Sequence, residues 1–351
     1  MWWGDRRKTM WHLYYNIHDL VTVEVIGAGR FDRSNNLRYA FFETEKEDTP
    51  DIVLRLGRFR PSNQGCQVVS HKYHIKENYF YCRDSDGKAI WEVEIFGIES
   101  GRTEVNFNGT RFDSTGIILP SYWAQDIVKP LIEFKLLSKN HFLIHGGAVA
   151  NDSKAYLLAG RTGIFKTTLI MDFVRKAGFS YLGDERVIIG EGKALCFPMS
   201  LFLFDYLYKH SPTEDLSFVK KLHLVNKILF QEKDYSAPVT NTAKLKTLFI
   251  VDKKDRKNIS IAELSPEQGI SKLVANNALE MTVAAPTSQF LQYIMAYSFV
   301  FPRSKPATYW NDFGRGIEQV LPGIPIYQIE VPLKYTQDTF GSVYNFIREM
   351  G

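Results

Sequence analysis

The sequence predicts an α/β fold with a mixed sheet, preceded by a β-rich N-terminal domain. Three observations predict it. Residues 1 to about 120 carry short apolar–polar alternations bounded by turn residues, the period of half-buried strands. Residues 145–187 run in the order strand, glycine-rich loop, Lys-Thr, helix, strand, acid. Beyond 187, apolar strands alternate with helical patterns to the C-terminus. The expected division is a recognition or oligomerisation domain over 1–125 and a second domain, built around the glycine-rich loop, over 126–351.

In the first domain, residues 21–26, 52–56 and 67–69 alternate as strands do. Residues 79–82 and 89–93 form a hairpin around a turn that contains Gly87. Further strands are expected at 103–107 and 116–119. His71 and His74 lack a third ligand and read as strand surface before metal site. Trp2, Trp3, Trp11, Tyr14 and Tyr15 read as core or edge packing, with a membrane surface or a partner as the other use of such aromatics. Residues 120–140 form one helix with Ile127, Leu131, Phe134 and Leu137 at helical spacing, Ser121 as a cap and Pro130 as a kink or break. That helix is assigned to the second domain and leads into a strand at 142–144.

In the second domain, strands are expected at 155–159, 179–182, 187–189, 193–198, 245–251, 259–264 and 324–331. Helices are expected at 169–176, from 266 onward, at 289–299 and at 339–350. Ser265, Pro266 and Gln268 compose a capping box at the start of the second of these. The charged stretch 217–234, with Lys220, Lys221, Lys227 and Lys233, is either a solvated face or a segment that covers a ligand.

Composition narrows the function classes. A chain of 351 residues with 45% hydrophobic and 23% charged residues has material for a sizeable core and two domains. A net charge of +4 over that length is too mild to indicate nucleic acid or a membrane surface as partner. Three cysteines, Cys66, Cys82 and Cys196, lie far apart without metal-ligand spacing, which predicts a reduced, cytoplasmic setting. The first eight residues are not followed by the apolar stretch of a signal peptide, and no apolar run reaches the length of a membrane span.

The chemistry concentrates in Gly160-Arg161-Thr162-Gly163-Ile164-Phe165-Lys166-Thr167-Thr168. A strand that empties into such a loop, followed by a helix, presents backbone N–H groups and a helix N-terminus to phosphate oxygens. Lys166 adds a point charge, and Thr167 can ligate Mg²⁺. Asp184 and Glu185 end the next strand, where an acid can hold metal or accept a proton. In the pattern G-x-x-x-x-G-K-[ST], the residue before Lys166 is a glycine whose backbone approaches phosphate; here it is Phe165. An ordinary strand–turn–helix with an incidental Lys-Thr-Thr is the alternative.

His145-Gly146 before the strand, the loop 160–168, and Asp184-Glu185-Arg186-Val187 together resemble the catalytic core of HPr kinase/phosphorylase and its relatives, whose fold is akin to that of phosphoenolpyruvate carboxykinase. Lys166-Thr167-Thr168-Leu169 is closer to the carboxykinase relatives. The resemblance covers about residues 140–351. It departs from the family at Phe165, at Glu185 in place of an aspartate, and in lacking the downstream Glu-Ile-Arg-Gly stretch, so HPr is not the expected substrate. It implies phosphoryl transfer from ATP, with Mg²⁺, to a serine-like hydroxyl of a peptide, protein or small molecule. Lys166 and the loop amides would hold the β and γ phosphates, and Thr167 the metal. Thr168 would support the loop or the α phosphate, and Arg161 and Thr162 would contact phosphate. Asp184 or Glu185 would be the base, Asp184 being preferred, with the other helping to hold metal. His145 would sit beside the acceptor. Arg186 is either a clamp on phosphate or a partner for the acids. Homo-oligomers occur in the family and are possible here. The rival function is a nucleotide-binding sensor or scaffold in which Phe165 has impaired catalysis.

Overall fold

The computed structural model describes residues 10–28, 39–47, 49–86, 89–109, 121–199, 201–209, 235–283 and 287–350. Trp2, Trp3, Gly87, the strand expected at 116–119, the charged stretch 217–234 and the side chain of Ser121 lie outside the described residues. Among those described, the helices are α1 (Ser121–Ser138), α2 (Lys166–Ala177), α3 (Leu201–Lys209), α4 (Pro266–Val283), α5 (Thr287–Val300), α6 (Lys305–Val320) and α7 (Gln337–Glu349). The chain divides into two compact units, one from Met1–Lys139 and Thr282–Tyr309, the other from Asn140–Met281 and Trp310–Gly351.

The first unit is β-rich. Its sheet contains β1 (Met10–Ile17), β2 (Val21–Ala28), β3 (Glu43–Thr44), β4 (Ile52–Leu56), β5 (Gln67–Val69), β6 (Tyr73–Lys76), β7 (Tyr79–Asp86), β8 (Ala89–Phe96) and β9 (Thr103–Gly109). Their order is β3-β1-β2-β4-β9-β8-β7-β6-β5, with β2–β4 and β4–β9 parallel. His18 and Asp19 both take positive φ between β1 and β2, the backbone a tight hairpin turn requires. Helix α1 lies on β2, β4 and β9 and buries Ile127, Val128, Leu131, Ile132 and Leu136. It therefore belongs to this unit and not to the half that carries the loop, because its apolar stripe is covered by this sheet. Pro130 sits inside it without ending it. Residues 282–309 also return here: Trp91 Nε1 donates to the Tyr293 hydroxyl at 3.0 Å, and Tyr293 packs against Phe80 at 4.9 Å between ring centres.

The second unit is a mixed α/β structure. Its strands are β10 (Phe142–Asn151), β11 (Lys154–Ala159), β12 (Ser180–Gly183), β13 (Arg186–Gly190), β14 (Lys193–Cys196), β15 (Thr242–Lys253), β16 (Ser260–Glu263) and β17 (Ile326–Val331). The order is β11-β10-β13-β14-β15-β17-β16, and β12 pairs with β10. β11 also pairs in parallel with β15, so β11, β10, β13, β14 and β15 close on one another. Strands buried on both faces need near-continuous apolar sequence. β10 is buried from Phe142 to Ala150, β11 from Ala155 to Ala159, and β13 throughout. The capping box of α4 forms as its sequence requires: Gln268 N–H donates to Ser265 Oγ at 3.2 Å, and Gln268 Oε1 accepts Ser265 N–H at 3.3 Å.

Candidate phosphate-binding site

The loop begins where β11 ends. Gly160 has φ +153, and a Cβ there would run into the Val251 carbonyl of β15 and the Ile164 side chain. Glycine lets the chain turn off the sheet at that point. Helix α2 starts at Lys166 because Leu169, Ile170, Phe173 and Val174 form an apolar face, and it stops at Gly178, whose N–H reaches the Phe173 carbonyl. Arg175 and Lys176 in its last turn complement the helix dipole. Thr167 and Thr168, at the opposite end, are exposed.

Phe165 occupies the cap position of α2 with φ 70 and ψ 14, the left-handed conformation that glycine adopts freely. A residue with a Cβ holds it at a cost of about 1–2 kcal/mol. Contacts of the ring offset part of that cost. It tilts against Tyr335 at 5.5 Å, and the Lys253 ammonium lies 3.8 Å from its centre. Tyr335 is itself fixed by donating to Asp172 Oδ2 at 2.6 Å.

Lys166 is buried, and its ammonium folds back on the loop, donating to the Gly160 carbonyl and, at 2.8 Å, to the Arg161 carbonyl. Burial lowers its pKa to about 8; Glu280, Asp184 and Glu185 oppose that shift and Arg186 adds to it.

The acid turn is held next to β10. Gly146 N–H donates to the Glu185 carbonyl at 3.2 Å, and His145 pairs in register with Arg186. A Cβ on Gly147 would meet the Gly183 carbonyl at 2.8 Å and Asp184 Cα at 2.9 Å, besides the Ile170 side chain of α2. The second glycine is thus what lets β10 lie against both the helix and the acid turn. Tyr181, wholly buried and kept protonated by that burial, donates to Asp184 Oδ1 at 2.6 Å. Arg186 NH1 donates to His145 Nδ1 and to the Glu185 carbonyl, the latter at 3.1 Å. Arg186 is therefore a partner of His145 and of the acid turn's backbone.

Helix α4 supplies residues that the sequence reading did not single out. Glu280 accepts Thr162 N–H at 3.1 Å through Oε1 and the Thr162 hydroxyl at 3.2 Å through Oε2. Its Oε1 also lies 3.5 Å from His145 Nε2, with both side chains 8% exposed. Asn277 accepts His145 N–H at 2.8 Å, and Asn276 donates to the His145 carbonyl at 2.9 Å. The available signal was three polar residues, Asn276, Asn277 and Glu280, on one turn of a helix whose neighbours Leu273 and Met281 are core. Polar side chains at such positions need partners.

No family model matches the chain, and no curated protein matches it. Among solved structures, one match is the Hpr(Ser) kinase/phosphatase from Coxiella burnetii, at 13% identity and a TM-score of 0.27. It covers 59% of this chain and 97% of that one. That degree of likeness carries no argument, and the loop geometry stands on its own.

Arg186 ties His145 to the backbone of Glu185, and Glu280, Asp184, Glu185 and Arg186 lie near enough to Lys166 to act on its charge. No group of three or more His, Cys, Asp or Glu able to hold a metal occurs among the described residues. Magnesium does not demand one, since it commonly takes one or two carboxylates and completes its shell with phosphate and water oxygens. The Thr167 hydroxyl and Asp184 carboxylate are donors of that hard-oxygen kind. No described helix is long and apolar enough to cross a membrane.

Proposed function

We propose that the chain is an ATP-dependent phosphotransferase that moves the γ-phosphoryl group to a hydroxyl of a peptide, protein or small molecule. The support is one arrangement: a glycine-initiated loop at the N-terminus of α2, with a buried lysine at its base and the carboxylates of Glu280, Asp184 and Glu185 acting on that lysine. An anion that reaches the loop meets amides, a helix terminus and an ammonium together. Lys166 exchanges the Gly160 and Arg161 carbonyls for phosphate oxygens. The acceptor oxygen forms its bond to the γ phosphorus as the bond to the β–γ bridging oxygen breaks, and the hydroxyl proton passes to Asp184. Tyr181 holds that carboxylate in place. Magnesium, which Thr167 would hold with Glu185 where Asp184 serves as base, would supply neutralisation of charge on the phosphates.

The test is phosphate release or transfer from ATP with Mg²⁺. Asp184→Asn is expected to lower the rate by about 100-fold or more, the usual range for losing a general base. An unchanged rate would remove Asp184 from the mechanism. A second reading, a nucleotide-binding sensor without turnover, is favoured by Phe165, which holds a left-handed backbone where the motif has glycine. It predicts nucleotide binding with no hydrolysis.

A further inference from the structure

We propose that Glu280 is a positioning residue of this site, holding the His145 imidazole in its Nε2-protonated tautomer and tying that ring to the loop at Thr162. The proposal rests on the loop being the phosphate site. A guanidinium can only donate hydrogen bonds, so where Arg186 NH1 meets His145 Nδ1, that nitrogen must accept. The neutral ring then carries its proton on Nε2, and Nε2 faces Glu280 Oε1 at 3.5 Å. At that separation, beyond hydrogen-bond length, the carboxylate favours the N–H form through its charge.

The same carboxylate grips the loop through the amide and hydroxyl of Thr162. One turn earlier on α4, Asn276 and Asn277 hold the backbone of His145 from both sides. A single helix face therefore fixes ring, strand and loop. Arg186, at the far end of the chain of contacts, is bonded to the Glu185 carbonyl in the acid turn. Glu280 thus connects the loop to the turn that carries Asp184 and Glu185, and His145 acts as the link rather than as a proton acceptor. Separation hides it in the sequence: Glu280 stands 118 positions after Thr162.

Nitrogen-15 NMR of ring-labelled histidine, with His145 assigned through His145→Gln, reads the tautomer directly and needs no nucleotide. The Nε2–H form is expected in the wild type; an Nδ1–H form would overturn the proposal. Glu280→Gln keeps an oxygen for the Thr162 amide and removes the charge. It is expected to leave the Kd for ATP with Mg²⁺ within about threefold while slowing turnover about 10–100-fold, the size of a small misplacement of reacting groups. Unchanged turnover would overturn the proposal. So would a tenfold tighter complex, which would make Glu280 merely a competitor with phosphate for the Thr162 amide. A wild type that binds no ATP would instead remove the phosphate site while leaving the tautomer result to judge Glu280.

Discussion

Lys166→Ala is expected to weaken binding of ATP with Mg²⁺ by about 10–100-fold, the worth of charge-assisted hydrogen bonds from one ammonium to phosphate. Calorimetric titration measures it. The wild type should also show a pH dependence that the variant lacks. The ammonium titrates near 8 in the free protein, mainly because it is buried. Phosphate oxygens would raise that pKa in the complex, so binding takes up a proton and affinity falls as pH climbs through 8. Between pH 7 and pH 9 the wild-type Kd should rise about tenfold, and the alanine variant should stay flat. Folding stability runs the other way. A lysine whose folded pKa lies below its unfolded value binds fewer protons when folded, so wild-type stability should increase with pH between about 8 and the ordinary lysine value of 10.5. Alanine should abolish that rise too.

Phe165→Gly is expected to tighten nucleotide binding about tenfold while changing stability little. Glycine relieves about 1–2 kcal/mol of left-handed strain. Against this stand the ring's contact with Tyr335, worth about 0.5–1.5 kcal/mol, and the Lys253 ammonium over the ring, worth about 0.5–1 kcal/mol. Glycine's greater unfolded-state freedom costs about 0.5–1 kcal/mol more. The terms nearly cancel, with a small net loss. Binding should improve because the backbone can approach phosphate and because Lys253 is released from the ring. Among the described residues no carboxylate forms an ion pair with Lys253, whereas its neighbours Lys254 and Arg256 are held by Glu330. Unchanged or weaker affinity would mean the loop is shaped for a different ligand.

What was legible in the chain was local. β11, the loop, α2 and β12 follow one another within a short stretch, and each carries its own signal: an apolar run, glycines, a helical stripe with a glycine stop. The positive φ at Phe165 follows from its place in the motif. Helix α6 was missed although Phe313 and Ile317 are buried at helical spacing and Ser304 caps it by accepting Ala307 N–H at 3.3 Å. Gly314 and Gly316 within it lower intrinsic helix preference and obscured the pattern. Strand β1 was missed because Met10, an exposed residue, and aromatics on both faces break the alternation. α1 was recognised as a helix but assigned to the wrong half, since a helix's own stripe does not say which sheet will cover it. Glu280 and the two asparagines gave only the signal of polar residues beside an apolar stripe, because their partners lie on strands and loops distant in sequence.

The most direct test is a crystal structure with a non-hydrolysable ATP analogue and Mg²⁺. The predicted result is a triphosphate lying along residues 160–168, with Lys166 Nζ moved from the Gly160 and Arg161 carbonyls onto phosphate oxygens. A nucleotide bound elsewhere, or none bound while Lys166 keeps those carbonyls, would contradict it.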